Sequence, residues 1–157
     1  MAPTEAAKPV IRFLTLEQVV GMHDDLLRRF GGLGGGGARG GEYEGVDAAV
    51  QAVKNSYYES VEELAAAYAV YIVQGHVFTD ANKRTGAAAM LVFLEANGIR
   101  ATLSADELPG LMIDLQRRAE AGERTEDLIR WIAAALRARR PALRPRKKAR
   151  GKGVAGR

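Results

Sequence analysis

Apolar residues recur along this chain at helical intervals and almost nowhere alternate. Leu16, Val19, Val20, His23, Leu27 and Phe30 share one face of a first helix. Thr15 and Gln18 form a capping box ahead of it, and Gly31 stops it. Val46, Val50, Val53 and Tyr57 mark a second helix. Val61, Leu64, Ala65, Tyr68 and Ile72 mark a third, ended near Gly75. The run from Asn82 to Ala96 is rich in Ala, Leu and Met and reads as a fourth, mostly buried helix that Asn97-Gly98 closes. Ile99 to Leu103 admits a short extended stretch. Ser104 and Glu107 make a second capping box, with Leu108, Leu111, Met112 and Leu115 behind it. Pro109 must then fall near the first turn, where its missing N–H breaks no helical bond. Thr125 is expected to cap a last helix carrying Ile129, Ile132, Ala133 and Leu136. The pattern predicts an all-α body of about six helices and shows no internal repeat.

One segment is low in complexity, GGLGGGGARGG at 31–41, and it contains a formal GxGxxG from Gly35 to Gly40. A dinucleotide loop needs a strand before it and a helix directly after it. Here a helix precedes it, so the match is rejected in favour of a flexible loop.

Composition then sets the scale. A chain of 157 residues, 47% of them apolar, suits one domain with a single core. Cys is absent, which excludes a disulfide framework and thiolate chemistry. The start, MAPTEAAKPVIRF, lacks a signal-like apolar region, and no apolar run approaches the ~18 residues of a membrane span. The expectation is a cytoplasmic protein with no membrane partner.

The net charge of +4 conceals an asymmetry. Residues 137–157 hold ten Lys and Arg and no acid, so residues 1–136 carry 13 basic against 19 acidic residues, a net of −6. The body is acidic and the tail strongly basic. LRPRKKARGKGVAGR offers little to bury and is expected to be disordered. It could make weak, non-specific contact with nucleic acid or an acidic partner. The organisation expected is a flexible N-terminus at 1–12, a helical domain at 13–138 and a basic tail at 139–157.

The chemistry concentrates in HVFTDANKRTG, residues 76–86. Between two apolar helices stand a histidine, an acid, an amide, a lysine and an arginine. The first amides of a helix beginning near Asn82 lack internal acceptors and form an anion site. Lys83 and Arg84 add positive charge there, which makes a polyphosphate the natural ligand. Asp80 has two competing roles, an N-cap worth ~1 kcal/mol or a carboxylate for Mg²⁺, and the neighbouring cations favour the metal. Asn82 can donate and accept at once, fixing either the loop or a phosphate oxygen. Phe78, apolar among polar neighbours, is a structural anchor. His76 suits a base that takes a proton from an attacking hydroxyl. His23 lies on the apolar stripe of the first helix and reads as a hydrogen-bonded core histidine. Two histidines 53 positions apart make no zinc motif.

His76, Phe78, Asp80, Asn82 and Arg84 match HxFx(D/E)xNxR, and the stretch resembles the signature of Fic-domain proteins. DANKRT, with Lys83 where AMP-transferring members usually have Gly, resembles the death-on-curing (Doc) branch. TLEQVVGMHDDLLRRFGG, ELAAAYAVYIVQGHVF and MLVFLEANGI extend the likeness over roughly residues 13–136. The resemblance implies an all-α Fic/Doc fold with the motif between two central helices. It implies a toxin of a toxin–antitoxin pair that moves the γ-phosphoryl group of ATP to a threonine of elongation factor Tu and halts translation. His76 would be the base and Asp80 the holder of Mg²⁺, with Ala81, Asn82, Lys83 and Arg84 on the phosphates. The alternatives are protein AMP transfer, in which the nucleotide lies the other way, and a nonenzymatic scaffold with a nucleic-acid-binding tail. No Ser or Thr has a Glu four residues later, so the inhibitory (S/T)xxxE(G/N) helix of many Fic proteins is missing. A separate antitoxin is the expected restraint.

Overall fold

A computed structural model of the chain describes residues 10–32, 43–101, 103–104 and 106–139. The first nine residues, most of the Gly-rich stretch (33–42) and the tail from 140 onward lie outside them. Among the described residues six helices follow in order: α1 Leu16–Phe30, α2 Glu44–Lys54, α3 Val61–Gln74, α4 Asn82–Ala96, α5 Glu107–Glu120 and α6 Thr125–Ala138. The all-α expectation holds.

α3 is the centre of the domain. Its residues from Leu64 to Val70 are all buried, so it is apolar around its whole circumference rather than along one stripe. α4 and α6 pack closely on it, with α2 and α5 completing the layer, while α1 lies mainly on α4. Small residues make the α3–α4 contact possible. A Cβ on Gly86 would lie 3.2 Å from Val73 Cγ2 and 3.3 Å from the Ala69 carbonyl oxygen. The glycine gives up ~1 kcal/mol of helix propensity against Ala and in return lets the two backbones approach.

The segment before α1 is tied to this core. Leu14 N–H donates to Tyr68 Oη (2.9 Å), and the Tyr68 ring rests against Phe93. Burial pushes the Tyr68 phenol up to about 12. Arg12 exchanges two hydrogen bonds with the Asn97 side chain, so the end of the 1–12 segment is pinned to the α4 C-terminus.

Local signals held unevenly. The Thr15–Gln18 capping box forms, with bonds of 2.8 and 3.1 Å; Ser104 and Glu107 exchange the same pair of bonds at 3.0 Å, but two residues ahead of Asp106, the N-cap of α5. Gly31 ends α1 with φ +78°. Pro109 is the third residue of α5, inside its first turn. Glu107 also accepts from Arg139 Nε; with the Ser104 amide as the leading cause, its carboxyl is held below the ordinary range.

Three expectations are corrected. Tyr57 is not on α2: that helix ends at Lys54, and Ser56 Oγ closes its last turn by donating to the Val53 carbonyl. Tyr57 instead lies exposed, its hydroxyl donating to Glu126 Oε2 (2.6 Å). Thr125 does not cap α6 but is its first residue, and its hydroxyl donates to Gln74 Oε1 (2.8 Å). The described residues of 99–103 are not a strand. Among the described residues, no helix is long and apolar enough to cross a membrane.

Candidate functional site

The loop between α3 and α4 is short and sharply bent. His76 and Ala81 both take left-handed backbone conformations, φ +46° and +67°. Non-glycine residues adopt these at a cost of about 1–3 kcal/mol each, so the surroundings must hold them.

Three contacts do so. Phe78 is buried and stacks face to face on His23, ring centroids 3.7 Å apart and 6° from parallel. His23 Nε2–H donates to the Asp80 carbonyl oxygen (2.9 Å), which fixes that nitrogen as the protonated one. Asn82 reaches back along the loop. Its Oδ1 accepts from Phe78 N–H (3.0 Å), and its Nδ2 donates to the Phe78 carbonyl (2.9 Å). The reading of His23 as a hydrogen-bonded core residue matches this geometry.

The start of α4 is open. Ala81 is the N-cap residue, and its methyl side chain makes no cap bond. Asp80 is therefore not its cap; its Oδ1 accepts from the Ala81 N–H at 2.8 Å. The first helical bond runs from Thr85 N–H to the Ala81 carbonyl. The amides of Asn82, Lys83 and Arg84 thus have no helical acceptor and point out of the helix start.

These groups share one cavity of about 230 Å³, walled by His76, Asp80, Asn82, Lys83, Arg84 and Gln116 among others. Every polar residue picked from the sequence contributes to it. Their side chains are already engaged in different ways. Asn82 spends its amide on the loop. Lys83 Nζ crosses to α5 and donates to Gln116 Oε1 (2.7 Å), and Gln116 Nε2 donates to Glu120 Oε2 (3.0 Å). The Arg84 guanidinium lies 5.2 Å from the centre of the Phe30 ring.

Sequence reasoning missed two participants. Gln116 is 33 residues from Lys83, with no local signal to mark it. Gly32 lies against the acid: a Cβ there would be 2.9 Å from Asp80 Oδ2. The second of two glycines directly after a helix stop was its available signal. Beyond Arg84 the cavity gives way to an apolar groove of about 510 Å³, whose walls include Leu26, Phe30, Ala87, Leu108, Met112 and Ile113.

The arrangement suits a magnesium-bound phosphate chain. Among the described residues no three His, Cys, Asp or Glu side chains cluster to cage a metal. Mg²⁺ asks for less, commonly one carboxylate, water and substrate phosphates, and Asp80 is the carboxylate of this cavity that could hold it.

An all-α domain in which an uncapped helix start shares one small cavity with a histidine and an aspartate has the helix-loop-helix layout of the motif. The Fic/DOC family model matches residues 13–94, and the chain belongs to that family. Over 92 residues the chain is 37% identical to the protein kinase doc of Escherichia phage P1, a match that covers 57% of this chain and 71% of that protein.

Proposed function

We propose that this protein is a Doc-type phosphotransferase that moves the γ-phosphoryl group of Mg·ATP to a hydroxyl of a target protein. The observation that carries the reading is Lys83. It stands where AMP-transferring relatives of the motif usually have glycine, and its side chain runs along the cavity wall to Gln116. A lysine there, held on the α5 side of the cavity, adds a positive charge that glycine could not supply to the phosphates. That favours a turned nucleotide with its terminal phosphate towards His76. The likeness to a protein kinase of phage P1 supports the same direction.

In this reading the open amides of Asn82, Lys83 and Arg84 and the Arg84 guanidinium bind phosphate oxygens. Asp80 holds Mg²⁺, which when bound neutralises charge on the phosphates. The target hydroxyl oxygen bonds to the γ-phosphorus as the bond to the bridging oxygen breaks. ADP leaves with the electron pair, and His76 takes the hydroxyl proton. Catalysis is then chiefly positioning and charge stabilisation. The family resemblance points to a threonine of elongation factor Tu as acceptor, with translation arrest as the outcome. It also points to a separate antitoxin as the restraint.

The test is label transfer from purified protein, Mg²⁺ and ATP into a cell lysate. γ-Labelled ATP should mark one protein band and α-labelled ATP none, and His76→Ala should abolish the mark. Transfer of the α label instead would make the protein an AMP transferase.

A further inference from the structure

The wall of the cavity opposite the motif belongs to α5, which lies beyond the residues matched by the family model. Gln116 is the residue of α5 that reaches the site. It borders the His76 cavity and also a smaller adjoining one of about 70 Å³, which His76 shares with Ala119 and Glu120. Its amide is used at both ends. Oε1 accepts from Lys83 Nζ at 2.7 Å, and Nε2 donates to Glu120 Oε2 at 3.0 Å. The chain Glu120–Gln116–Lys83 therefore has a fixed polarity. The Glu120 carboxylate can only accept, so it orients the Gln116 amide with its oxygen towards the ammonium.

We propose that Gln116 is a positioning residue for the transfer reaction: it holds the Lys83 ammonium against α5 and so sets how the nucleotide's phosphates lie in the cavity. The inference rests on the phosphotransferase reading above. Lysine is a flexible point charge with four rotatable stem bonds. Left to itself, the Lys83 ammonium could turn back over the amides of its own helix start and compete for the phosphate position. Tethered to Gln116, it leaves those amides open and puts its charge on the side of the cavity that His76 shares. Glutamine suits the task better than a carboxylate. It orients the ammonium without neutralising it and without placing a negative charge against the phosphates.

A double-mutant cycle tests this, with full-length protein, Mg·ATP and the lysate protein that wild type labels. Gln116→Leu keeps the side-chain bulk and removes the acceptor; kcat/KM for γ-label transfer should fall about tenfold, the scale of one charge-assisted hydrogen bond. Gln116→Glu should raise KM for ATP more than it lowers kcat. In a Lys83→Met background, Gln116→Leu should add nothing, because the residue acts through the lysine. A thermal melt of each variant separates folding loss from this effect. The partition between γ- and α-label should shift in Gln116→Leu, a readout that mere support of α5 would not move. Multiplicative losses in the double variant, or an unchanged partition with an unchanged kcat/KM, overturn the inference while leaving the phosphotransferase reading in place. No transfer of either label by wild type overturns both.

Discussion

Asn82→Ala is the substitution that most directly separates loop architecture from ligand chemistry. The Asn82 side chain makes two hydrogen bonds to the backbone of Phe78, a residue only 2% exposed. Each such bond contributes about 0.5–1.5 kcal/mol net, and here the abandoned N–H and C=O sit over a buried ring where water replaces the amide poorly. Alanine regains a few tenths in helix propensity at most, at the first position of α4. The expected loss is about 1–3 kcal/mol, or roughly 4–10 °C in Tm for a domain of this size. Asn82→Asp makes the contrast. It keeps an acceptor for the Phe78 N–H and complements the helix dipole, yet it faces the Phe78 carbonyl with a carboxylate and adds negative charge at the anion site. It should lose less stability than Ala while weakening ATP binding more. Urea unfolding gives the first quantity and calorimetric titration with Mg·ATP the second. An Asn82→Ala protein within about 0.3 kcal/mol of the parent would refute the claim that this amide holds the loop.

Other outcomes follow from the same geometry. Ala81→Gly relieves a left-handed alanine and should stabilise the protein by up to ~1 kcal/mol despite a looser unfolded chain; a lower Tm would contradict the strain assigned there. Gly86→Ala gains ~1 kcal/mol in helix propensity but meets Val73, the Ala69 carbonyl and Met112 at 3.2–3.3 Å, so chemical denaturation should show no gain and a net loss of about 1 kcal/mol. Stability should fall as pH rises from 10 to 12. The folded Tyr68 phenol, at about 12 against an ordinary 10.0, stays protonated while the unfolded one ionises. Tyr68→Phe should flatten part of that limb; Tyr58, also pushed to about 12 by burial, and Tyr71 and Tyr57, raised by burial and by the bond to Glu126 respectively, contribute to the remainder. Expression of the lone chain should slow bacterial growth, and His76→Ala should relieve it; equal toxicity of the variant would argue against catalysis.

Much of this architecture was legible because helices write their own periodicity and stops. Thr15, Gly31, Gly75 and Asn97 end or begin elements where their local chemistry demands it, while the Ser60 cap of α3 emerges only in the structure. The motif residues also announced a shared cavity, since nine consecutive positions across one bend cannot lie far apart. What sequence could not weigh was competition between partners. Tyr57 continues the apolar rhythm of α2 past the point where Ser56 has closed the helix, so periodicity alone overruns its end. Thr125 looks like a cap, but its hydroxyl finds Gln74 on a neighbouring helix 51 residues away. Asn82 was open to the loop or to a phosphate oxygen, and the Phe78 backbone takes both ends of its amide. Gln116 and the His23–Asp80 bond are purely tertiary, with separations of 33 and 57 residues, and no spacing rule points to them.

Intact-mass and fragment mass spectrometry of the modified target, after incubation with this protein and Mg·ATP, tests the central claim most directly. That claim is a nucleotide gripped at the start of α4 with its terminal phosphate presented to His76. A target that gains one phosphoryl group on a Ser or Thr hydroxyl, and nothing when His76 is alanine, is the predicted result. A target that gains one adenylate, or remains unmodified at millimolar Mg·ATP, would contradict it.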